Sequence, residues 1–151
     1  MTGITRHTQD NRITVLLDTN VFVAAYWARS SASARLMRAC VAGVVQAHFS
    51  REVRAEVTAV LRQIRVSEGY MREVDAFWDA AVEARPRPVE SVRSADPSDQ
   101  KFLEAALGAD TDFLVTNDDH LLSVGYVGRT EILKPVSVLK LIDVSLPHSR
   151  P

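Results

Sequence analysis

The amino-acid sequence predicts an α/β domain whose mostly parallel sheet is covered by helices on both faces. Three observations carry this. Short apolar runs such as 13–17 (ITVLL) alternate along the chain with segments whose apolar residues recur every three or four positions. Strands alternating with helices require crossover connections, and right-handed crossovers leave few arrangements besides an open parallel sheet. Finally, 151 residues, 46% of them hydrophobic, suffice for one core without disulfides. With only 6 Gly and 6 Pro, collagen-like and linker compositions are excluded, and the apolar fraction excludes disorder.

The fully apolar, β-branched run 13–17 is expected to be a central strand buried on both faces. Helices are expected at 20–28 and 33–42, with Leu36, Ala39 and Cys40 forming a face and Gly43 a stop. A second strand is expected at 44–48. Ser50 then serves as N-cap to a helix in which Val53, Val57, Val60, Leu61 and Ile64 keep a 3.6-residue period. Tyr70, Val74, Phe77, Trp78, Ala81 and Val82 mark another helix, whose aromatic stripe reads as core rather than as a base-stacking platform. Arg85-Pro86-Arg87-Pro88 ends it, and an extended piece at 89–92 leads to the turn Asp96-Pro97-Ser98. The last third predicts a helix at 99–107, strands at 113–116 and 130–133, and a helix opening at Pro135. The expected organisation is a flexible extension at 1–12, one domain at 13–143 and a tail at 144–151.

The 18 basic and 19 acidic side chains nearly cancel. Near-neutrality does not exclude a nucleic-acid partner, because acids gathered in a metal site can offset arginines elsewhere. Arg29, Arg35, Arg38, Arg51 and Arg54 cluster in one third of the chain and are candidate substrate contacts; they read equally as solvated helix faces. The most apolar stretch, 15–28, is broken by Asp18 and Asn20 and is too short for a membrane span. Residues 1–12 lack the apolar core of an export signal, and one cysteine, Cys40, forms no internal disulfide, so a cytoplasmic protein is expected.

In open parallel sheets ligands bind beyond the carboxyl ends of strands. Asp18 directly follows the first strand, and Asp118 follows the strand 113–116 with Asn117 between. Either aspartate alone reads as a helix N-cap or turn residue. Together in one crevice they would repel strongly unless a cation or proton lay between them. Glu56, on the flank of an apolar helix stripe, could join them or could pair with Arg51 or Arg54. Asp99 could join them or could simply favour the positive end of its helix. Carboxylates in this number suit hard cations such as Mg²⁺ or Mn²⁺. His7, His48, His120 and His148 have no zinc-site spacing, the glycines form no phosphate loop, and no nucleophile elbow is present.

The segments Leu17-Asp18-Thr19-Asn20-Val21, Glu56 within EVRAEVTAVL, Asp96-Pro97-Ser98-Asp99-Gln100-Lys101-Phe102, and Leu114-Val115-Thr116-Asn117-Asp118 with His120-Leu121-Leu122 together resemble the PIN-domain ribonucleases. The likeness runs from about residue 13 to 141 and is similar to the bacterial subgroup of VapC-type toxins of type II toxin–antitoxin systems. It implies a three-layer α/β/α fold with about five strands, and an acidic quartet of Asp18, Glu56, Asp99 and Asp118 that is both catalytic and metal-binding. Asn20 and Thr116 would support it, with Asp96 as a further candidate, while Ser98 and Gln100 stand where relatives often carry additional acids.

The same resemblance implies a hydrolytic endoribonuclease using Mg²⁺ or Mn²⁺ to activate water for in-line attack on single-stranded or loop RNA, leaving 5′-phosphate and 3′-hydroxyl ends. It further implies a homodimer silenced by a small antitoxin, for which the helices 33–42 and 53–64 would offer apolar docking ridges. Two other readings compete. A haloacid-dehalogenase-type phosphatase would need a second aspartate where Asn20 stands, and a catalytically idle PIN-fold module for RNA or protein binding would be favoured by loss of one of the four acids.

Overall fold

The computed structural model describes residues 11–90 and 97–145, and within them six strands and seven α-helices. They follow in the order β1 (Thr14–Leu17), α1 (Thr19–Trp27), α2 (Ala32–Val41), β2 (Gln46–Phe49), α3 (Arg51–Gln63), α4 (Glu68–Ala80), β3 (Val82–Glu83), a 3₁₀ turn (Pro97–Asp99), α5 (Gln100–Ala109), β4 (Phe113–Val115), α6 (Asp119–Val124), β5 (Tyr126–Val127), β6 (Thr130–Leu133) and α7 (Pro135–Ser145). The sheet order is β3-β2-β1-β4-β6-β5, parallel throughout except for the β5–β6 pair.

This order explains the layers. From β1 the chain steps outward to β2 and β3 in one direction, then returns through α5 to β4 on the other side of β1. Right-handed crossovers taken in opposite directions fall on opposite faces. α2 accordingly packs with α1, α4 and α7, whereas α5 lies over β1, β2, β4 and β5. The result is the three-layer α/β/α architecture. β1 sits at the centre with Val15, Leu16 and Leu17 buried, as its unbroken apolar run requires.

The aromatic stripe is core. Tyr70, Phe77 and Trp78 are buried; Phe22 stacks on Trp78 and meets Phe77 edge-on, and the Tyr70 hydroxyl donates to the Phe22 carbonyl at 2.6 Å. Ser50 caps α3 by accepting from the Val53 amide at 3.1 Å. Cys40 is buried, and burial pushes its thiol up to about 12.

Some boundaries differ from those the sequence suggests. Ala81 and Val82 leave the α4 helix. Ala81 is its extended C-cap, and Val82, 45% exposed, joins the edge strand β3 beside β2. The sheet has six strands rather than about five, because β3 and β5 are two-residue edge pairings too short to show periodicity. α6 also lies where no helix was expected, and β2 starts two residues later, after the turn at Gly43 with its φ of 83°. Asp96 and the end of the 89–92 piece lie outside the described residues, as do residues 1–10 and 146–151. Arg12 donates to the Gly43 carbonyl and to Gln46. No helix among the described residues is long and apolar enough to cross a membrane.

Candidate active site

The reversal of strand order between β1 and β4 opens a crevice at their carboxyl ends, where a parallel sheet leaves backbone groups and loops free to bind ligands. Asp18 and Asp118 stand on its two sides. The backbones are joined there, since the Asp18 amide donates to the Val115 carbonyl at 2.9 Å.

Asp18 is 5% exposed. Its Oδ1 accepts from the Thr19 amide at 2.7 Å and its Oδ2 from the Thr116 hydroxyl at 2.6 Å. The Thr116 Oγ1 in turn accepts from the Asp118 amide at 2.9 Å and from Asn20 Nδ2 at 3.4 Å, so its own proton is directed to Asp18. Asn20 Oδ1 accepts from the Asn117 amide at 3.1 Å, and Asn117 Nδ2 donates to the Ser33 hydroxyl at 3.2 Å. One polar network therefore ties the end of β1, the end of β4 and the start of α2. Asp18 caps α1, and Asp118 caps α6 by accepting from the His120 amide at 3.0 Å. The N-cap reading of both aspartates holds, and the caps orient the two carboxylates at one crevice.

Asp99 is buried at the junction of the 3₁₀ turn and α5, in helical backbone conformation, and its side chain makes no capping bond. The pKa of Asp18 is raised to about 6, first by burial and then by the negative charges of Asp99 and Asp118, against the lowering effect of Thr116 and Thr19. The three aspartates are thus electrostatically joined. Glu56 is placed one step away. Its Oε2 accepts from the Thr19 hydroxyl at 2.8 Å, and its Oε1 pairs with Lys101 Nζ at 2.8 Å, not with Arg51 or Arg54.

Thr19 and Lys101 are the residues sequence reasoning left without a role, although both stand inside the motifs quoted above. A buried threonine between Asp18 and Asn20, and a lysine two positions beyond Asp99 in the first turn of α5, were the available signals.

The five arginines do not form one surface. Arg29 pairs with Glu73 at 2.6 Å and lies over the Tyr70 ring, and Arg38 donates to the Arg29 carbonyl. Arg51 and Arg54 line a shallow cleft of about 510 Å³ along α3 together with Arg62, the Arg54 guanidinium lying over Phe49 and Trp78. Arg35 is exposed on α2. The apolar ridges expected on the docking helices are nearly absent. Val41 is the exposed large apolar residue of α2, and α3 exposes none, because its apolar positions face the core. A second cleft, of about 520 Å³, opens beside the crevice and is lined by Asn20, Val23, Ser33, Asn117, Lys134 and Val136.

Residues 14–120 match the PIN domain, a span of well over half the chain that contains all four expected acids. The chain belongs to the PIN-domain family. PIN domains are generally nucleases and commonly depend on a divalent metal, which makes a hydrolase the coarse reading of this one. This PIN domain also superimposes on the crystal structure of PAE2754 from Pyrobaculum aerophilum with a TM-score of 0.58, at 15% identity over 88% of this chain and 91% of the other. That likeness is one of fold. No curated protein matches the chain.

Among the described residues of this PIN domain, no group of three or more His, Cys, Asp or Glu side chains is set to hold a metal ion as it stands. The donor chemistry nevertheless fits one. The carboxylates are hard oxygen donors, and buried Asp18 and Asp99 with half-buried Asp118 present a negative potential that a cation would relieve. Mg²⁺ keeps several waters and needs only one or two carboxylates beside substrate phosphates, so a closed protein cage is not required.

Proposed function

We propose that this chain is a divalent-metal-dependent endoribonuclease that hydrolyses phosphodiester bonds and serves as the toxin of a type II toxin–antitoxin pair. The observation that carries the nuclease reading is the placement of Asp18 at the β1/β4 crevice, where burial first, and then the negative charges of Asp99 and Asp118, raise its pKa. The acidic quartet of Asp18, Glu56, Asp99 and Asp118 would hold Mg²⁺ or Mn²⁺. When bound, the cation supplies an activated water and neutralises charge on the phosphate.

The chain's own residues do the positioning. Thr116 holds its proton on Asp18 Oδ2, and the Thr19 amide holds Oδ1, so the carboxylate is fixed in rotation while each oxygen keeps acceptor capacity. Asn20 and Asn117 link the two strand ends, so the spacing across the crevice resists change when an anionic substrate arrives. Attack by water would leave 5′-phosphate and 3′-hydroxyl ends, and 2′,3′-cyclic phosphate would exclude this chemistry.

The test is cleavage of a panel of structured RNAs by the purified protein and its Asp18→Asn variant, with Mn²⁺, Mg²⁺ or EDTA. Cutting that requires metal and Asp18 supports the reading; equal inertness of both proteins with RNA binding intact supports an idle binding module. The toxin role, the homodimer and the small antitoxin rest on the likeness of the motifs. Growth arrest on expression, relieved by co-expressing an adjacent small gene, tests the role and the antitoxin, and sedimentation tests the dimer.

A further inference from the structure

The two oxygens of Glu56 are both engaged by protein donors, Oε1 by the Lys101 ammonium and Oε2 by the Thr19 hydroxyl, each at 2.8 Å. This is an odd position for a metal ligand. A carboxylate already neutralised by an ammonium attracts a second cation weakly, and using it as a ligand would require displacing or crowding Lys101. The arrangement suits a different division of labour. Lys101 stands two residues past the buried Asp99, in the first turn of α5, and its side chain is 36% exposed, whereas that of Glu56 is 23% exposed. The ammonium has three donors, and the bond to Glu56 uses one of them. Glu56 is itself held by Thr19, whose amide binds Asp18. The cation is therefore tethered, through Glu56 and Thr19, to the same carboxylate that centres the crevice.

We infer that Lys101 is the phosphate-binding cation of the crevice and that Glu56 is a positioning residue that aims it, rather than a ligand of the metal. The ligand class is the phosphodiester of the RNA strand, contacted at its non-bridging oxygens without regard to base. This assignment rests on the nuclease reading above, and it narrows the metal-holding residues to the three aspartates.

Two binding measurements test it, each on protein whose thermal melt confirms folding. The first is Mn²⁺ binding by calorimetry. Glu56→Gln and Lys101→Met are expected to keep the Mn²⁺ dissociation constant within about fivefold of wild type, while Asp99→Asn raises it by about tenfold or more. The second is anisotropy of a fluorescein-labelled oligouridylate of about twelve nucleotides, with Ca²⁺ in place of Mn²⁺ and its intactness checked on a gel. Lys101→Met should weaken binding about five- to tenfold and reduce the slope of log affinity against log salt by about one. Lys101→Arg should restore most of the affinity. Glu56→Gln should weaken binding in the wild-type background but add little to Lys101→Met, as two members of one unit do.

The assignment is overturned if Glu56→Gln loses Mn²⁺ as severely as Asp99→Asn, or if Lys101→Met tightens Mn²⁺ about tenfold, for then Lys101 merely competes for a true ligand. It is overturned equally if Lys101→Met leaves RNA affinity and salt slope unchanged. If the wild type binds neither Mn²⁺ nor the oligonucleotide, the nuclease reading itself falls and takes this assignment with it. Wild-type binding of both, with either variant result above, removes only the assignment.

Discussion

The two ends of the parallel sheet carry aspartates in opposite electrostatic circumstances. At the amino-terminal end, Asp112 receives the Thr14 amide at 2.9 Å and hydroxyl at 3.2 Å, and Arg129 reaches both Asp110 and Asp112 at 3.0 Å. Those bonds to carboxylates push the Arg129 pKa further up. Charge is matched there by charge, and the network simply fastens the starts of β1 and β4 to the β5–β6 turn. At the carboxyl-terminal end Asp18 is buried among hydroxyl and amide donors, with two more carboxylates raising its pKa. The nearby ammonium of Lys101 pairs with Glu56 rather than with Asp18. Folding alone gains nothing from burying such a carboxylate without a cation, and perturbed groups of this kind cluster at functional sites. On the proposed reading, the difference separates aspartates that hold the fold from aspartates that would take a cation.

The sharpest way to break this comparison is to exchange Asp for Asn at each end. Asp18→Asn is expected to lower the metal-dependent RNA cleavage rate on the order of 10³-fold. Asp112→Asn should leave the rate per folded molecule within about twofold and lower stability instead. Initial rates with Mn²⁺, normalised to folded protein, decide it; equal losses would mean that the two ends do not differ in function.

The next effect is a pH dependence of stability without metal. The Asp18 carboxyl has an ordinary value of 3.8 and titrates near 6 in the folded chain, so between these values the folded state binds its proton more tightly. Its contribution is fully present below pH 3.8 and is lost as the pH rises through about 6. The advantage of Asp18→Asn over wild type, measured by urea denaturation in EDTA, should grow by up to about 3 kcal/mol from pH 4 to pH 7. It should shrink again when Mn²⁺ replaces EDTA. A constant difference across pH would show that burial does not raise the Asp18 pKa as described.

Thr116→Val removes the hydroxyl that holds Asp18 Oδ2 while keeping the shape of the side chain. A loss of about 10- to 100-fold in Mn²⁺ affinity or cleavage rate is expected, as for other groups that orient a ligand. At the opposite end, Arg129→Met should cost about 1–2 kcal/mol in urea with cleavage unaltered, a modest figure because the pairs are partly exposed. The bond from Arg129 to the Asp110 carbonyl, at 2.7 Å, contributes to that loss.

Much of this was legible in the residues. The run from Thr14 to Leu17 had to be a central strand because Val15, Leu16 and Leu17 are consecutive apolar residues that need burial on both faces, and Ser50 had to be a cap because an apolar period begins at Val53. Asp18 and Asp118 stood out by following strands, and Thr116 and Asn20 through the likeness of their segments to the PIN-domain ribonucleases. Lys101 stayed hidden because a lysine on the first turn of a helix looks like any solvated charge until the helix holding Glu56 is packed against it. The edge strands β3 and β5 stayed hidden because two residues have no period.

What the sequence alone determined is therefore what depends on neighbours along the chain: which segments bury a face, where helices start, and which acids sit at the ends of strands. Only the tertiary structure decided how those ends were combined. Strand order β3-β2-β1-β4-β6-β5 brings the ends of β1 and β4 side by side, although almost a hundred residues separate Asp18 from Thr116 along the chain. The same packing gives Asp112 an arginine, buries Asp18 within reach of the charges of Asp99 and Asp118, and hands Lys101 to Glu56. A side chain's charge is written locally, but its pKa and its partner come from whatever long-range packing sets beside it.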